Sequence, residues 1–200
     1  MSFWALVPVK ARAESKRRLS PILGDEERTA LVRAMLGQVL EALAQCRDIE
    51  GISVLSPERD LLPADQELLP DGGRGLNDAL EGAIETLARR GAKRVAIVFA
   101  DLPLVTAEDL SSLLAANSPT TIAIAPDRNA SGTNALCLTL PTEFRFRFGP
   151  GSLVQHLAEA ARVGLKPVPV RRAGLAFDVD EPEDVTLLKA YAAPRYRFLA

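Results

Sequence analysis

Lys10, Arg12, Lys16, Arg17 and Arg18 crowd into nine positions of this 200-residue chain, directly behind the apolar segment Phe3 to Val9. Several positive charges in one loop would bind a triphosphate, lysine as a point charge and arginine as a two-pronged donor. The same run also reads as a solvated basic loop. It has no glycine between Pro8 and Gly24, which excludes a Walker-type phosphate loop and a dinucleotide fingerprint. Asp101 closes the unbroken apolar run Val95 to Ala100 and precedes Leu102-Pro103. A run of that kind suits a central parallel strand, whose C-terminal edge is where open α/β sheets bind ligands. Asp101 also reads as a turn residue before Pro103. Asp178 and Asp180 form a second carboxylate pair behind Leu175-Ala176-Phe177. Mg²⁺ is typically held by one or two carboxylates together with substrate phosphates, so these groups predict a magnesium-dependent enzyme that handles nucleotide phosphates. Asp180 with Glu183 equally makes a helix-capping pair before Pro182.

Gly75-Leu76-Asn77 and Gly132-Thr133-Asn134 each put a glycine ahead of a polar side chain at an element boundary, where backbone can approach a ligand. Each also reads as an ordinary turn. Phe148-Gly149-Pro150-Gly151-Ser152 precedes a predicted helix, so its N–H groups and the Ser152 hydroxyl could hold a phosphate or carboxylate, or Ser152 could cap that helix. His156, the single histidine, lies one turn further on and is expected to be packed or on the surface. No Ser/His/Asp arrangement or Cys/His cluster stands out, and covalent catalysis is not expected.

The elements that must position these residues follow from periodicity. Phe3 to Val9 reads as a strand, and Asp25-Glu26-Glu27 open a helix with acid in its first turn. Leu31, Met35, Leu36, Val39, Leu40 and Leu43 give that helix its buried face. Ile52 to Leu55 is a second strand, and the stretch to Gly75 a loop before a helix carrying Leu80, Ala83, Ile84 and Leu87. The third strand ends at Asp101, Thr106 with Asp109 starts another helix, and Thr120 to Ala125 makes a fourth strand. Beyond it Ala135 to Leu140 reads as a strand, Ser152 to Arg162 as a helix, Pro167 to Val170 and Leu175 to Phe177 as short strands, and Asp180 to Tyr191 as a closing helix. The tail from Pro194 to Ala200 reads as loosely held. The alternation predicts an α/β fold with a mostly parallel sheet and helices on both faces, Rossmann-like in broad class. The expected organisation is one domain over 1–200, with a nucleotide-binding half at 1–125 and an acceptor-binding half at 126–193.

Composition narrows the function classes. With 24 basic and 26 acidic side chains the formal charge is -2, so a nucleic-acid surface is not expected. Cys46 and Cys137 lie far apart and read as free, buried thiols. No apolar stretch approaches the roughly 18 to 20 residues that span a bilayer. A cytoplasmic protein is expected, and apolar surface in the second half is compatible with a homodimer.

In order along the chain, Val7-Pro8-Val9-Lys10 with Ser15-Lys16-Arg17-Arg18-Leu19, Gly75-Leu76-Asn77, Ala100-Asp101-Leu102-Pro103-Leu104, Ala125-Pro126-Asp127 with Gly132-Thr133-Asn134, Phe148-Gly149-Pro150-Gly151-Ser152 with His156, and Asp178-Val179-Asp180 with Pro182-Glu183-Asp184 resemble the 2-phospho-L-lactate guanylyltransferase family, the CofC/FbiD group of coenzyme F-420 biosynthesis. The resemblance implies a single three-layer domain of the nucleotide-diphospho-sugar transferase (GT-A) type with a mixed, mostly parallel sheet. It implies GTP as donor and a three-carbon phosphorylated acid as acceptor: phosphoenolpyruvate, 3-phospho-D-glycerate or 2-phospho-L-lactate. It puts Asp101 on the metal with Asp180 as second ligand and Asp178 in reserve. It puts Lys10, Lys16 and Arg18 on the triphosphate, with Lys16, Arg18 and Asp101 catalytic. Thr133, Gly149 and Ser152 fall on the acceptor, and Gly75, Asn77 and Asn134 among the substrate-binding positions. The alternatives are a cytidylyl- or molybdopterin-guanylyltransferase of the same fold, or a non-catalytic nucleotide-binding regulator.

Overall fold

The computed structural model describes residues 2–11, 15–191 and 194–199. The basic-loop residue Arg12 and the terminal Ala200 lie outside them. Strands β1 (Phe3–Pro8), β2 (Ile49–Leu55), β3 (Glu67–Leu69), β4 (Arg94–Val98), β5 (Thr121–Pro126), β6 (Thr133–Thr139) and β7 (Lys166–Pro169) form one sheet in the order β3-β2-β1-β4-β6-β5-β7. All neighbours pair in parallel except β6, which runs antiparallel to β4 and β5. The helices are α1 (Asp25–Ala44), α2 (Leu76–Arg89), α3 (Ala107–Ala115), α4 (Ser152–Arg162), α5 (Ala173–Ala176) and α6 (Pro182–Ala190).

The continuous apolar run of β4 follows from burial on both faces. Ala96 and Val98 join the core under α1 and α3, while Val95 and Ile97 join the one under α2 and α4. Successive side chains of a strand point to opposite faces, so each must be apolar when both faces are covered. Helix α1 begins where Glu27 reaches back to accept a hydrogen bond from the Gly24 N–H at 2.8 Å, and Asp25, Glu26 and Glu27 put negative charge beside the positive end of its dipole. Leu31, Leu36 and Leu43 are all buried at 1% exposure or less. Each such side chain contributes roughly 1.5–3 kcal/mol. Cys46 and Cys137 are free and buried. No helix among the described residues is long and apolar enough to cross a membrane.

Four local expectations are corrected. Leu175 to Phe177 is not a strand: Ala173–Ala176 forms one helical turn, because an apolar run this short carries no period of its own. The predicted loop before Gly75 contains the three-residue edge strand β3, paired to β2. The closing helix starts at Pro182, and its cap is Glu181 with Asp184 rather than Asp180 with Glu183. The tail is packed: Tyr196 and Leu199 are each 4% exposed, and the Tyr196 hydroxyl donates to the Pro103 carbonyl at 3.2 Å.

Candidate active site

The strand ends, and the start of the reversed strand β6, meet along one edge of the sheet and enclose a cavity of about 730 Å³. Lys10, Lys16, Arg18, Asp101, Thr133, Asn134, Gly149, Ser152, Asp178 and Asp180 all line it. Asp101 sits three residues past the end of β4, in the turn before Pro103, and its side chain is 24% exposed. After β1 the loop is turned back by Lys16 itself, whose φ of 53° is left-handed, and the following 3₁₀ turn is anchored by Leu19 at zero exposure. The Lys16 side chain is only 8% exposed.

There the Lys16 ammonium lies 2.7 Å from an Asp101 oxygen and 2.9 Å from an Asp180 oxygen. Burial alone would lower the lysine pKa, but the two adjacent carboxylates outweigh it and hold the ammonium above its ordinary value. The Asp180 carboxyl is correspondingly held below the usual carboxylate range; burial opposes this, but the Lys16 ammonium prevails, with Arg18 and Lys10 assisting. Asp178 behaves in the opposite way. Burial, then the charges of Asp101 and Asp180, push its carboxyl up to about 6.

Asp178 and Asp180 flank Val179, which is buried at zero exposure in the small core between α1 and α6. In an extended segment alternate residues share a side, so burying Val179 turns both carboxylates the other way. Asp184 then fixes the turn: its carboxylate accepts from the Asp180 and Glu181 N–H groups at 2.8 Å each and pairs with Arg128. The Arg128 guanidinium also lies 5.2 Å from the centre of the Phe177 ring. Sequence reasoning gave neither Arg128 nor Asp184 a role; the acid three positions into the cap of α6 was the available signal.

The rest of the lining is built largely on α4 and β6. Gly149 and Gly151, at φ of 136° and 68°, let the loop arrive at α4 in conformations that side chains rarely adopt. Gly151 is the cap position, and Ser152 begins the helix. The Ser152 hydroxyl accepts a hydrogen bond from the Thr133 N–H at 3.0 Å, which ties α4 to β6. Gly132 lets the Asp127 carboxylate, which accepts from its N–H at 2.8 Å, come close; a Cβ there would stand 2.8 Å from that carboxylate and push it aside.

Several predicted residues have structural partners. The Asn77 amide donates to the Phe148 carbonyl at 3.1 Å and accepts from the Phe148 N–H at 2.9 Å. Leu76 lines the cavity, whereas Gly75 and Asn77 do not. Asn134 donates to the Leu175 carbonyl at 3.0 Å. Arg18 is 71% exposed and pairs with Glu181 at 2.8 Å, rather than with the carboxylates that hold Lys16. His156 is packed, at zero exposure.

Asp101 and Asp180 already converge on one cation, and their oxygens are the hard donors that a divalent ion of the Mg²⁺ type takes. Among the described residues no group of three or more His, Cys, Asp or Glu side chains is placed to hold a metal ion. A site of two carboxylates suits an ion that completes its shell with phosphate oxygens and water.

The family model described as "Guanylyl transferase CofC like" matches residues 3–192. The chain is 38% identical over 196 residues to the phosphoenolpyruvate guanylyltransferase of Sphaerobacter thermophilus, covering 96% of this chain and 95% of that protein. It is 37% identical over 190 residues to the 2-phospho-L-lactate guanylyltransferase of Methanothermobacter thermautotrophicus, covering 92% and 83%. In fold it is similar to a provisionally named nucleotide-diphospho-sugar transferase from Desulfovibrio desulfuricans G20, with a TM-score of 0.74, 18% identity, and coverage of 100% and 94%. At that identity the likeness concerns fold alone, and it agrees with the mixed α/β sheet. The chain belongs to the CofC-like guanylyl transferase family.

Proposed function

We propose that this family member transfers GMP from GTP to a three-carbon phosphorylated acid, releasing pyrophosphate, and so supplies an intermediate of coenzyme F-420 biosynthesis. Phosphoenolpyruvate is the acceptor we put first, because relatives carrying that name are 38% identical over 95% or more of this chain. The observation that carries the reading is the convergence of Asp101 and Asp180 on one cation in a cavity also lined by Thr133, Gly149 and Ser152.

An oxygen of the acceptor phosphate attacks the α-phosphorus of GTP. A new P–O bond forms, the bond to the β-phosphate breaks, and pyrophosphate carries away the electron pair. A phosphate monoester has its second pKa near 6, so at neutral pH the nucleophile is already mostly a dianion and no general base is required. The protein's part is positioning and charge. Mg²⁺, held by Asp101 and Asp180 with Asp178 beside them, would supply neutralisation of donor phosphate charge. Lys16 leaves the two carboxylates and moves its ammonium onto the phosphates, while Lys10 and Arg18 at the rim draw in the triphosphate. Thr133, the Gly149 backbone and Ser152 hold the acceptor. The core and the ion pair of Arg128 with Asp184 keep the two sides in register.

The test is pyrophosphate release from GTP and Mg²⁺ with phosphoenolpyruvate, 3-phospho-D-glycerate and 2-phospho-L-lactate in turn, with the adduct identified by mass. Release with one acid and a guanosine diphosphate-linked product is expected. Release with CTP in place of GTP, or with none of the acids, sinks the reading.

A further inference from the structure

The hydrogen bonds around His156 fix which atoms donate and which accept between Arg147, the ring and the Thr133 hydroxyl. The Arg147 backbone N–H donates to His156 Nε2 at 3.0 Å. An amide N–H can only donate, so Nε2 must carry no proton. A neutral imidazole then has its single N–H on Nδ1, which lies 3.0 Å from the Thr133 hydroxyl oxygen. Thr133 therefore accepts from the ring, and its own proton must point elsewhere. Ser152 is in the same position, because its oxygen accepts from the Thr133 N–H at 3.0 Å. Among the described residues no acceptor takes either hydroxyl proton. Both side chains line the cavity while being only 5% and 2% exposed.

The ring has little freedom to change this pattern. It is completely buried, with Phe148 4.6 Å away edge-on and Phe144 at 5.7 Å. Burial holds its pKa down to about 4 despite Glu159 one turn along, so it stays neutral at ordinary pH. A second proton on Nε2 would also set two N–H groups against each other at Arg147.

We infer that His156 is a positioning residue which, as the Nδ1–H tautomer, obliges Thr133 to donate its hydroxyl proton into the cavity beside that of Ser152. The wall then offers two hydroxyl donors to a bare anionic oxygen, a carboxylate or a fully ionised phosphate. The inference rests on reading this wall as the site of the acceptor acid.

Substitutions separate this role from simple packing. In His156→Gln the carboxamide oxygen can still accept from Arg147, but the donor to Thr133 is lost. In His156→Asn the carboxamide N–H stands near the Nδ1 position and keeps that donor. The KM for the acceptor acid is expected to rise about tenfold in His156→Gln, the size of one hydrogen bond to a charged group. The KM for GTP should stay unchanged, and His156→Asn should recover most of the loss. In a Thr133→Val background His156→Gln should add nothing. Because the chain has one histidine, ¹⁵N-histidine NMR of the wild type reads the tautomer directly, and Nδ1 should be the protonated nitrogen from about pH 6 to about pH 8. A protonated Nε2, equal losses in the two variants, or an unchanged acceptor KM overturns the inference while the transferase reading stands. Absence of turnover by the wild type with every acid defeats that reading instead, and the acceptor role with it.

Discussion

The Lys16 ammonium lies 2.7 Å from the Asp101 carboxylate, 85 residues further along the chain, and completes the pair by reaching Asp180. A cation of the protein's own thus occupies the gap between carboxylates in which a divalent ion would be held. Two acids this close repel one another, and the ammonium stabilises the arrangement before substrate arrives.

Replacing Lys16 by Met removes that built-in charge. Mg²⁺ without nucleotide should then raise the thermal midpoint more in the variant than in the wild type, since ion and ammonium no longer compete. Each kcal/mol of binding shifts the midpoint by about 2 to 4 °C in a chain of this size. Turnover with GTP should fall at the same time by about 100-fold, a loss typical of removing one charge-stabilising group. Thermal scans with EDTA and with Mg²⁺ check the first statement, and an equal shift in both proteins contradicts it.

Asp101→Asn keeps the shape and removes the charge. Pyrophosphate release should drop at least about 100-fold, with an unchanged far-UV spectrum, because Asp180 still faces the Lys16 ammonium. Near-normal release by this variant would refute a metal role for Asp101.

Asn77→Ala leaves the Phe148 N–H and carbonyl without their side-chain partners. Losing two such bonds near the surface of the core should cost about 2 kcal/mol in urea titrations. The same change should raise the acceptor KM through a looser Phe148–Ser152 loop, with little effect on the KM for GTP. An equal rise in both constants is the outcome that counts against it.

His156 gives a pH signature with a definite sign. Its folded pKa is held to about 4, whereas an unfolded histidine titrates near 6.5. Between those values the unfolded chain binds more protons, so stability is complete above about pH 6.5 and is lost as pH falls toward about 4, by up to roughly 3 kcal/mol. Urea midpoints of wild type and His156→Gln, compared across this range, should converge as the pH drops. A constant gap would show that the ring is already charged or already wet in the native state.

Much of this was legible in the residues. The unbroken run Val95 to Ala100 could be read as a doubly covered strand because no polar residue interrupts it, and Asp101 could then be placed at the edge. The face of α1 was legible because its leucines repeat at helical spacing. The direction of β6 was not, since a strand bounded by turn residues looks alike from either end and the reversal is fixed by which neighbour it pairs with. Three residues are too few for periodicity to reveal β3. The ion pair of Arg128 with Asp184 joins positions 56 apart and follows no local pattern. Lys16 was legible as a charge, but its burial between two acids depends on its left-handed backbone and on Leu19, neither of which the composition of a basic loop announces.

The reversal of β6 separates what can change in this fold from what cannot. Its first residues reach the cavity from the turn that follows β5, whereas Asp101 comes off the end of β4, a strand paired in parallel with β1 and fed by the helix α2. A hairpin can lengthen or shorten without moving the strands it joins. The side of the cleft built on it can therefore change shape with the turn, while Asp101 is held in place by the core of the sheet.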